Sequence, residues 1–197
     1  MRAYAILFVL GAILGTALDH MHVAGGILSY PHPAFCDQAI WVPLLFGFAT
    51  VALGNQHRLL RRWLRGERRC STIALVRDGA IFFAAYAASA FARLPSALLL
   101  VIFIAAYMVR VAVLREPAHR IVHALLCGAI GVVVESLLVG AGAFRHHAME
   151  LWNVPLWIPG LYMHAAPFLG GIDDLADPPG AIAVVTQRNT RSGRQQN

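Results

Sequence analysis

The chain has 197 residues, 58% hydrophobic and 13% charged, with a mean hydropathy of +0.62. A soluble domain carries about 25% charged residues to cover its surface, so this composition excludes an ordinary water-soluble enzyme or binding module. The formal charge of +6 comes from 16 basic residues, all of them arginine, and their placement between apolar stretches argues against nucleic acid as the partner.

Six apolar stretches follow one another: Ala3–Leu18, Ala39–Gly54, Ile73–Phe91, Leu94–Val109, Ile121–Phe144 and Leu156–Ile172. A membrane-spanning helix needs about 20 mainly apolar residues, so the shorter stretches must extend into their flanks or sit where the bilayer thins. The expected fold is all-α: a polytopic six-transmembrane-helix bundle over residues 1–177, followed by a flexible cytoplasmic tail over 178–197. The first stretch, with Met1-Arg2 ahead of it, reads as a signal-anchor rather than a cleaved signal, because five further spans follow.

Between the first two stretches, Gly25-Gly26 and Pro31-His32-Pro33 predict an irregular loop. Trp41-Val42-Pro43 then opens span 2, and Trp157-Ile158-Pro159 opens span 6 in the same way. Tryptophan suits the membrane interface and proline a first helical turn, where its missing N–H costs nothing; the same residues also suit a bent helix end lining a cavity mouth. After span 2, Leu59, Leu60, Trp63 and Leu64 fall on one helical arc opposite Arg58, Arg61, Arg62 and Arg65. That pattern fits either an interfacial helix on anionic headgroups or a continuation of span 2 anchored by arginines.

The arginines set the orientation. With the N-terminus inside, thirteen of the sixteen fall on the cytoplasmic side and only Arg93 and Arg145 outside, which satisfies the positive-inside rule with N- and C-termini cytoplasmic. The expected location is the cell membrane. Arg77 and Asp78 lie near the inner end of span 3, as a structural ion pair or anchor.

Glu135 is the residue most in need of a reason. It lies deep in span 5, where a charge costs about 2.5–3.5 kcal/mol on insertion scales. Counting from the outer ends of antiparallel helices at 1.5 Å per residue puts Glu135 and His164 at about the same depth, roughly 12–14 Å. Thr50 and Ser136 fall at comparable depth. These residues predict a polar layer in which Glu135 and His164 share a proton or hold a lipid headgroup, with Trp41, Pro43, Trp157 and Pro159 shaping the mouth. A structural pair, or a protonated Glu135, is the plainer alternative.

Other chemistry is thinly supported. Asp173-Asp174-Leu175-Ala176-Asp177 matches a pattern that holds Mg²⁺ and pyrophosphate, but no second acidic cluster accompanies it. His119 and His123 have the i, i+4 spacing of metal ligands, yet lie at the opposite end of the bundle from His20, His22, His32, His146 and His147. Cys36, Cys70 and Cys127 are scattered and odd in number, so no disulfide framework is expected. No metal, cofactor or catalytic residue is therefore assigned. Small residues at helix-packing spacing, Gly11 with Gly15, Ala84 with Ala88 and Ala85 with Ser89, allow close helix contact within the bundle or between copies of the chain.

Three collinear stretches carry a resemblance. Leu18 to Pro31 through Gly25-Gly26, continuing into Ala39-Ile40-Trp41-Val42-Pro43 and Gly47, resembles the first outer loop and second helix of the Insig family of polytopic sterol-sensing regulators. Arg77 and Ala88-Ser89-Ala90 resemble its third helix, and Trp157-Ile158-Pro159 through Gly170-Gly171-Ile172 its last. The resemblance implies six helices around a cavity for a sterol-like or diacylglycerol-like lipid, without catalysis. The chain departs from the animal pattern at Leu114-Arg115-Glu116-Pro117, and at Asp78 and Glu135, where animal members are uncharged. The animal escort partners are thus not expected. The resulting expectation is a non-enzymatic lipid-binding sensor or regulator; the alternatives are a membrane-embedded, metal-dependent lipid-modifying enzyme and a small proton-coupled transporter using Glu135.

Overall fold

A computed structural model describes residues 2–67 and 71–176. Six helices account for most of it. Helix α1 runs without a break from Arg2–Leu10 through a π-helical turn, Gly11–Gly15, into Thr16–Ala24. It is followed by α2 (Val42–Trp63), α3 (Thr72–Phe91), α4 (Ser96–Leu114), α5 (Ala118–Gly140) and α6 (Ile158–Ala176). All six coincide with the apolar stretches, but most are longer than the stretches that announce them. The expected end of the first span at Leu18 is corrected to Ala24, and that of the second at Gly54 to Trp63. Asp19, His22 and Arg61 find partners inside the bundle and do not end the helices. The Leu59–Trp63 arc is thus the last turn of α2, with Leu59 and Trp63 exposed on its outer side.

Among the described residues, four helices are long and apolar enough to cross a membrane: Ala3–Ala24, Thr72–Phe91, Ser96–Leu114 and Ala118–Gly140. Of the other two, α6 carries polar residues because it faces protein, while α2 turns Thr50, His57 and Arg61 inward and exposes Leu44, Phe48, Leu59 and Trp63. Helix α6 touches each of the other five and is buried along nearly its whole length, Asp173 and Asp174 included. By contrast α4 presents Leu98, Val101, Met108, Val109 and Val113 outward, as a lipid-facing helix should. The expected tail from 178 onward, together with Asp177 and Cys70, lies outside the described residues.

Close helix contact has a specific source at α1. A Cβ on Gly11 would lie 2.5 Å from Thr50 Cβ and 2.7 Å from the Phe46 carbonyl, and one on Gly15 would strike the Phe46 ring at 2.5 Å. The Gly11/Gly15 pair is therefore consumed within the bundle, as are Ala85 and Ser89, both buried. Ala84 of the remaining pair is exposed.

The two outer loops are tied together. Strands β1 (Leu28–Ser29) and β2 (Arg145–His146) pair antiparallel, Leu28 opposite His146. This short pair belongs to a larger regularity. Helix α1 with α2, and α5 with α6, are equivalent units displaced by 116 positions: Arg2 and Ala118 begin, Ala24 and Gly140 end, Val42 and Ile158 restart. Each unit carries the same tight turn before its second helix. Phe35 bridges Gln38 around Cys36 and Asp37 at φ 47° and 57°; Leu151 bridges Val154 around Trp152 and Asn153 at φ 49° and 71°. Two consecutive positive φ values define the hairpin turn that suits right-handed strand twist. Helices α3 and α4 are inserted between the repeats.

Candidate functional site

Between α1, α2, α3, α5 and α6 lies a partly open cavity of about 130 Å³. Its walls are mainly apolar, with Leu10, Leu14, Leu53, Phe82, Phe168 and Leu169 among them. Polar groups gather at the end nearest the β1–β2 pair. Asp19 of α1 accepts hydrogen bonds from Tyr30 Oη at 2.8 Å and Gln38 Nε2 at 2.6 Å. Glu135 of α5 accepts from Tyr162 Oη at 2.5 Å and meets His146 Nε2 at 2.7 Å. Asp19 and Glu135 are equivalent positions of the two repeats, and so are Tyr30 and His146, the donors that serve them. All four line the cavity. Burial, and then the neighbouring Asp19, push the Tyr30 phenol well above its ordinary value, so it remains a hydrogen-bond donor at any working pH.

The site residues expected from the sequence divide. Thr50 and Glu135 line the cavity. Ser136, next on α5, does not, and its hydroxyl has no partner. Trp41 packs edge-on against Tyr30 at 5.6 Å, and Trp157 lies 5.3 Å from the His22 ring, so both brace the polar end from behind. Pro43 lies in the first turn of α2, and the Pro159 carbonyl in α6 lies against Gly128 of α5. His164 faces elsewhere: its Nε2 meets the Phe103 carbonyl at 3.0 Å and its ring packs on Tyr107 of α4. The expected Glu135–His164 pair is therefore not formed. Two residues along an α-helix is a rotation of about 200°, so Tyr162 and His164 point to opposite sides of α6, and Tyr162 takes the acid.

His22 Nε2 lies 2.8 Å from Ser89 Oγ, a spacing that resembles a nucleophile and its base. Ser89 Oγ–H, however, donates to the Tyr86 carbonyl at 2.9 Å. The imidazole N–H is then the donor to Ser89, the reverse of activation. Glu135 and His22 have separate partners, and among the described residues the outer histidines form no metal-ligating group with a carboxylate.

The opposite end of the bundle holds a second polar system. Arg110 of α4 grips Asp78 of α3 through both nitrogens, at 2.7 and 3.1 Å, and reaches Glu116 at 2.6 Å. Arg120 lies 4.0 Å from Glu116 and 3.3 Å from Asp174 of α6. Arg61 of α2 also pairs with Asp174, and Arg58 with Asp173 at 2.6 Å. Arg77 reaches Asp78 at 2.8 Å from the exposed side. This chain of charges joins α2, α3, α4, α5 and α6. Arginines thus occupy one oxygen of Asp173 and both oxygens of Asp174, so the already thin match to a Mg²⁺–pyrophosphate pattern gains no support. Sequence reasoning counted Arg110 and Arg120 only as topology markers, and Arg58 and Arg61 also as the polar arc of an interfacial helix or anchors of span 2; the signal that they were more was the acid supply at Asp78, Glu116, Asp173 and Asp174.

A bundle of apolar helices around a mostly apolar cavity with hydrogen-bonding groups at one end defines a helical membrane protein. No family model matches the chain, and no curated protein matches it in sequence at a significant level. Solved structures do. The chain is similar to the mycobacterial Insig homologue MvINS from Mycobacterium vanbaalenii, with TM-score 0.78, 23% identity, and coverage of 91% of this chain and 97% of that one. It is likewise similar to a cross-linked trimer of a cysteine variant of MvINS, with TM-score 0.77, 24% identity, and coverage of 89% and 94%. The chain thus has the Insig fold, as the three collinear stretches implied.

Proposed function

We propose that this protein is a non-enzymatic membrane sensor or regulator that holds a neutral amphiphilic lipid, sterol-like or diacylglycerol-like, in the cavity between its helices. The observation that carries the reading is the division of that cavity: apolar walls along its length and the Asp19–Tyr30, Glu135–His146–Tyr162 cluster at one end. Ligand pockets of this kind are mainly apolar with a few convergent polar groups that fix orientation. A hydroxyl or ester placed at Glu135 and Thr50 finds partners there, while an anionic headgroup meets two acids and is rejected. Trp41 and Trp157, with Pro43 and Pro159 beside them, hold the helix starts that shape the mouth. The Insig fold supports the same kind of protein, a membrane regulator.

In this reading the chain crosses the cell membrane six times with both termini in the cytoplasm, which puts the polar end of the cavity toward the outer face and the arginine network inside. The similar trimer makes self-association a natural arrangement here also, and the exposed Ala84 with Ala88 offers a small-residue face for it. A metal-dependent lipid-modifying enzyme using the histidines or the Asp173–Asp177 acids is the alternative, and turnover of an added lipid separates the two.

Gentle purification in detergent, lipid extraction and mass spectrometry test the proposal. One neutral lipid per chain is expected. A chain that carries only the bulk phospholipid mixture, or that converts an added lipid to product, overturns it.

A further inference from the structure

The two repeats meet a second time, at the end of the bundle away from the paired loops. His57 of α2 and Asp173 of α6 are equivalent positions and lie close to one another. A Cβ on Gly170 would lie 2.8 Å from His57 Nδ1, so this glycine makes room for the imidazole, whereas its equivalent, Gly54, makes room for Leu7, whose Cδ1 would lie 2.8 Å from an added Cβ. His57 and Asp173 are fully buried, and Asp174 is 2% exposed. One ligand atom from each of these three lies within 4.8 Å of the others.

The polar atoms here are incompletely used. Neither His57 ring nitrogen makes a hydrogen bond, and Asp173 Oδ2 has no partner although Arg58 occupies Oδ1. The nearest acceptor to His57 Nε2 is Asp174 Oδ1, at 3.4 Å. A buried polar atom left unmatched costs about 1–3 kcal/mol, and three at one point call for an occupant. Behind His57, 5.7 Å between ring centroids, stands His119, also buried, with Nε2 unpartnered. His119 in turn lines a surface pocket formed with Leu64, Arg65, Gly66, Glu67, Pro117 and Ala118. The His119 ring thus stands between the cluster and that pocket.

We propose that His57 Nε2, Asp173 Oδ2 and Asp174 Oδ1 bind a divalent transition-metal ion of the zinc class at the meeting point of the two repeats. One imidazole with two carboxylates suits zinc and its neighbours, whereas Mg²⁺ and Ca²⁺ prefer all-oxygen sites. The ion must share Asp174 Oδ1 with Arg61, so binding competes with an ion pair and is weaker than in a closed cysteine site. Arg58 on Asp173 Oδ1 and Arg120 on Asp174 Oδ2 leave Asp173 Oδ2 without a partner and Asp174 Oδ1 3.4 Å from His57 Nε2. Clamping α2 to α6, the ion would stiffen the walls of the lipid cavity from below; its binding does not depend on what that cavity holds.

The test uses the full chain in detergent, stripped with chelator and titrated with Zn²⁺ or Mg²⁺. One zinc per chain is expected after desalting, with a rise in melting temperature of about 5–10 °C at saturating zinc and none with Mg²⁺. His57→Gln and Asp173→Asn should each abolish both effects. Arg61→Gln, which removes the competitor, should tighten zinc binding by at least about tenfold. A variant lacking the outer histidines His20, His32 and His147 should bind as the parent does. Absence of stoichiometric zinc, an equal response to Mg²⁺, or zinc lost with the outer histidines instead of with His57 overturns the proposal. Should the buried variants not fold, X-ray absorption of the zinc-loaded parent decides: one imidazole among oxygens supports the site, several imidazoles or sulfur refute it.

Discussion

Arg110 Nη1 and Nη2 hold Asp78 Oδ1 and Oδ2 in a two-pronged fork, at 2.7 and 3.1 Å, between two neighbouring helices. Their side chains are 5% and 2% exposed, so neither charge has water as an alternative partner. Such a pair is a weak net source of stability, and removing one member leaves Asp78 with the half-exposed Arg77, or Arg110 with Glu116, as the remaining partner. Asp78→Ala and Arg110→Ala should each lower the unfolding free energy in detergent by about 1–3 kcal/mol, the loss of charged hydrogen bonds without a fully stranded charge. Replacing both together with leucine and methionine should recover most of it. A double variant no more stable than the singles would show that the fork does not act as a unit.

Glu135 is the acid that the proposed headgroup meets. Glu135→Gln keeps the shape of the side chain but removes the charge that strengthens its bonds to Tyr162 and His146. Bonds to charged groups are worth about 1.5–3 kcal/mol, so retention of the co-purified lipid should fall by about tenfold or more. Quantitative lipid mass spectrometry on parent and variant reads this. Unchanged lipid together with unchanged melting temperature removes Glu135 from the site.

Gly11 both lines the cavity and permits α1 to lie against α2. Gly11→Ala puts a methyl carbon into Thr50 and the Phe46 carbonyl, and backbone cannot yield as a flexible side chain does. Overpacking of this kind costs about 1–3 kcal/mol. Thermal unfolding should show that loss, and lipid content should fall with it. Gly140→Ala, where a Cβ meets nothing within 4 Å, is the matched control and should change neither.

The proposed threading is checked with cysteine chemistry. Cys36 is exposed in the first outer loop, while Cys127 is buried. In a Cys70→Ser background, a membrane-impermeant thiol reagent should label Cys36 only from the extracytoplasmic side. A cysteine introduced at Arg62 should react only from the cytoplasmic side. Reversed labelling would invert the orientation that the arginines predict.

Periodicity and length made the helices legible, and the deep acid at Glu135 drew notice because hydrocarbon tolerates so few charges. The partners of that acid were not legible by depth matching. Depth along a helix says nothing about which side a residue faces, and His164 and Tyr162 differ in facing by more than half a turn. The pairing of Leu28 with His146, which delivers the imidazole to Glu135, joins loops more than a hundred residues apart and leaves no local trace. The two Trp-x-Pro motifs were visible at once, yet each was read as a separate helix start. Their common spacing from Arg2 and Ala118, from Asp19 and Glu135, and from His57 and Asp173 is what makes them halves of a repeat.

The amino-acid sequence alone determined that apolar helices dominate this protein and roughly where each lies, since the chain holds enough apolar residues for such helices and too few charges for a water-facing surface. It also carried the Insig resemblance, in motifs short enough to survive at low identity. Only the tertiary structure decided which polar residues meet. Burial in a low-dielectric interior forces every charge to find a partner, and those partners come from distant helices whose rotation and tilt are settled by packing. That is why Asp78 belongs to Arg110, Glu135 to His146 and Tyr162, and Asp173 and Asp174 to the arginines across the bundle.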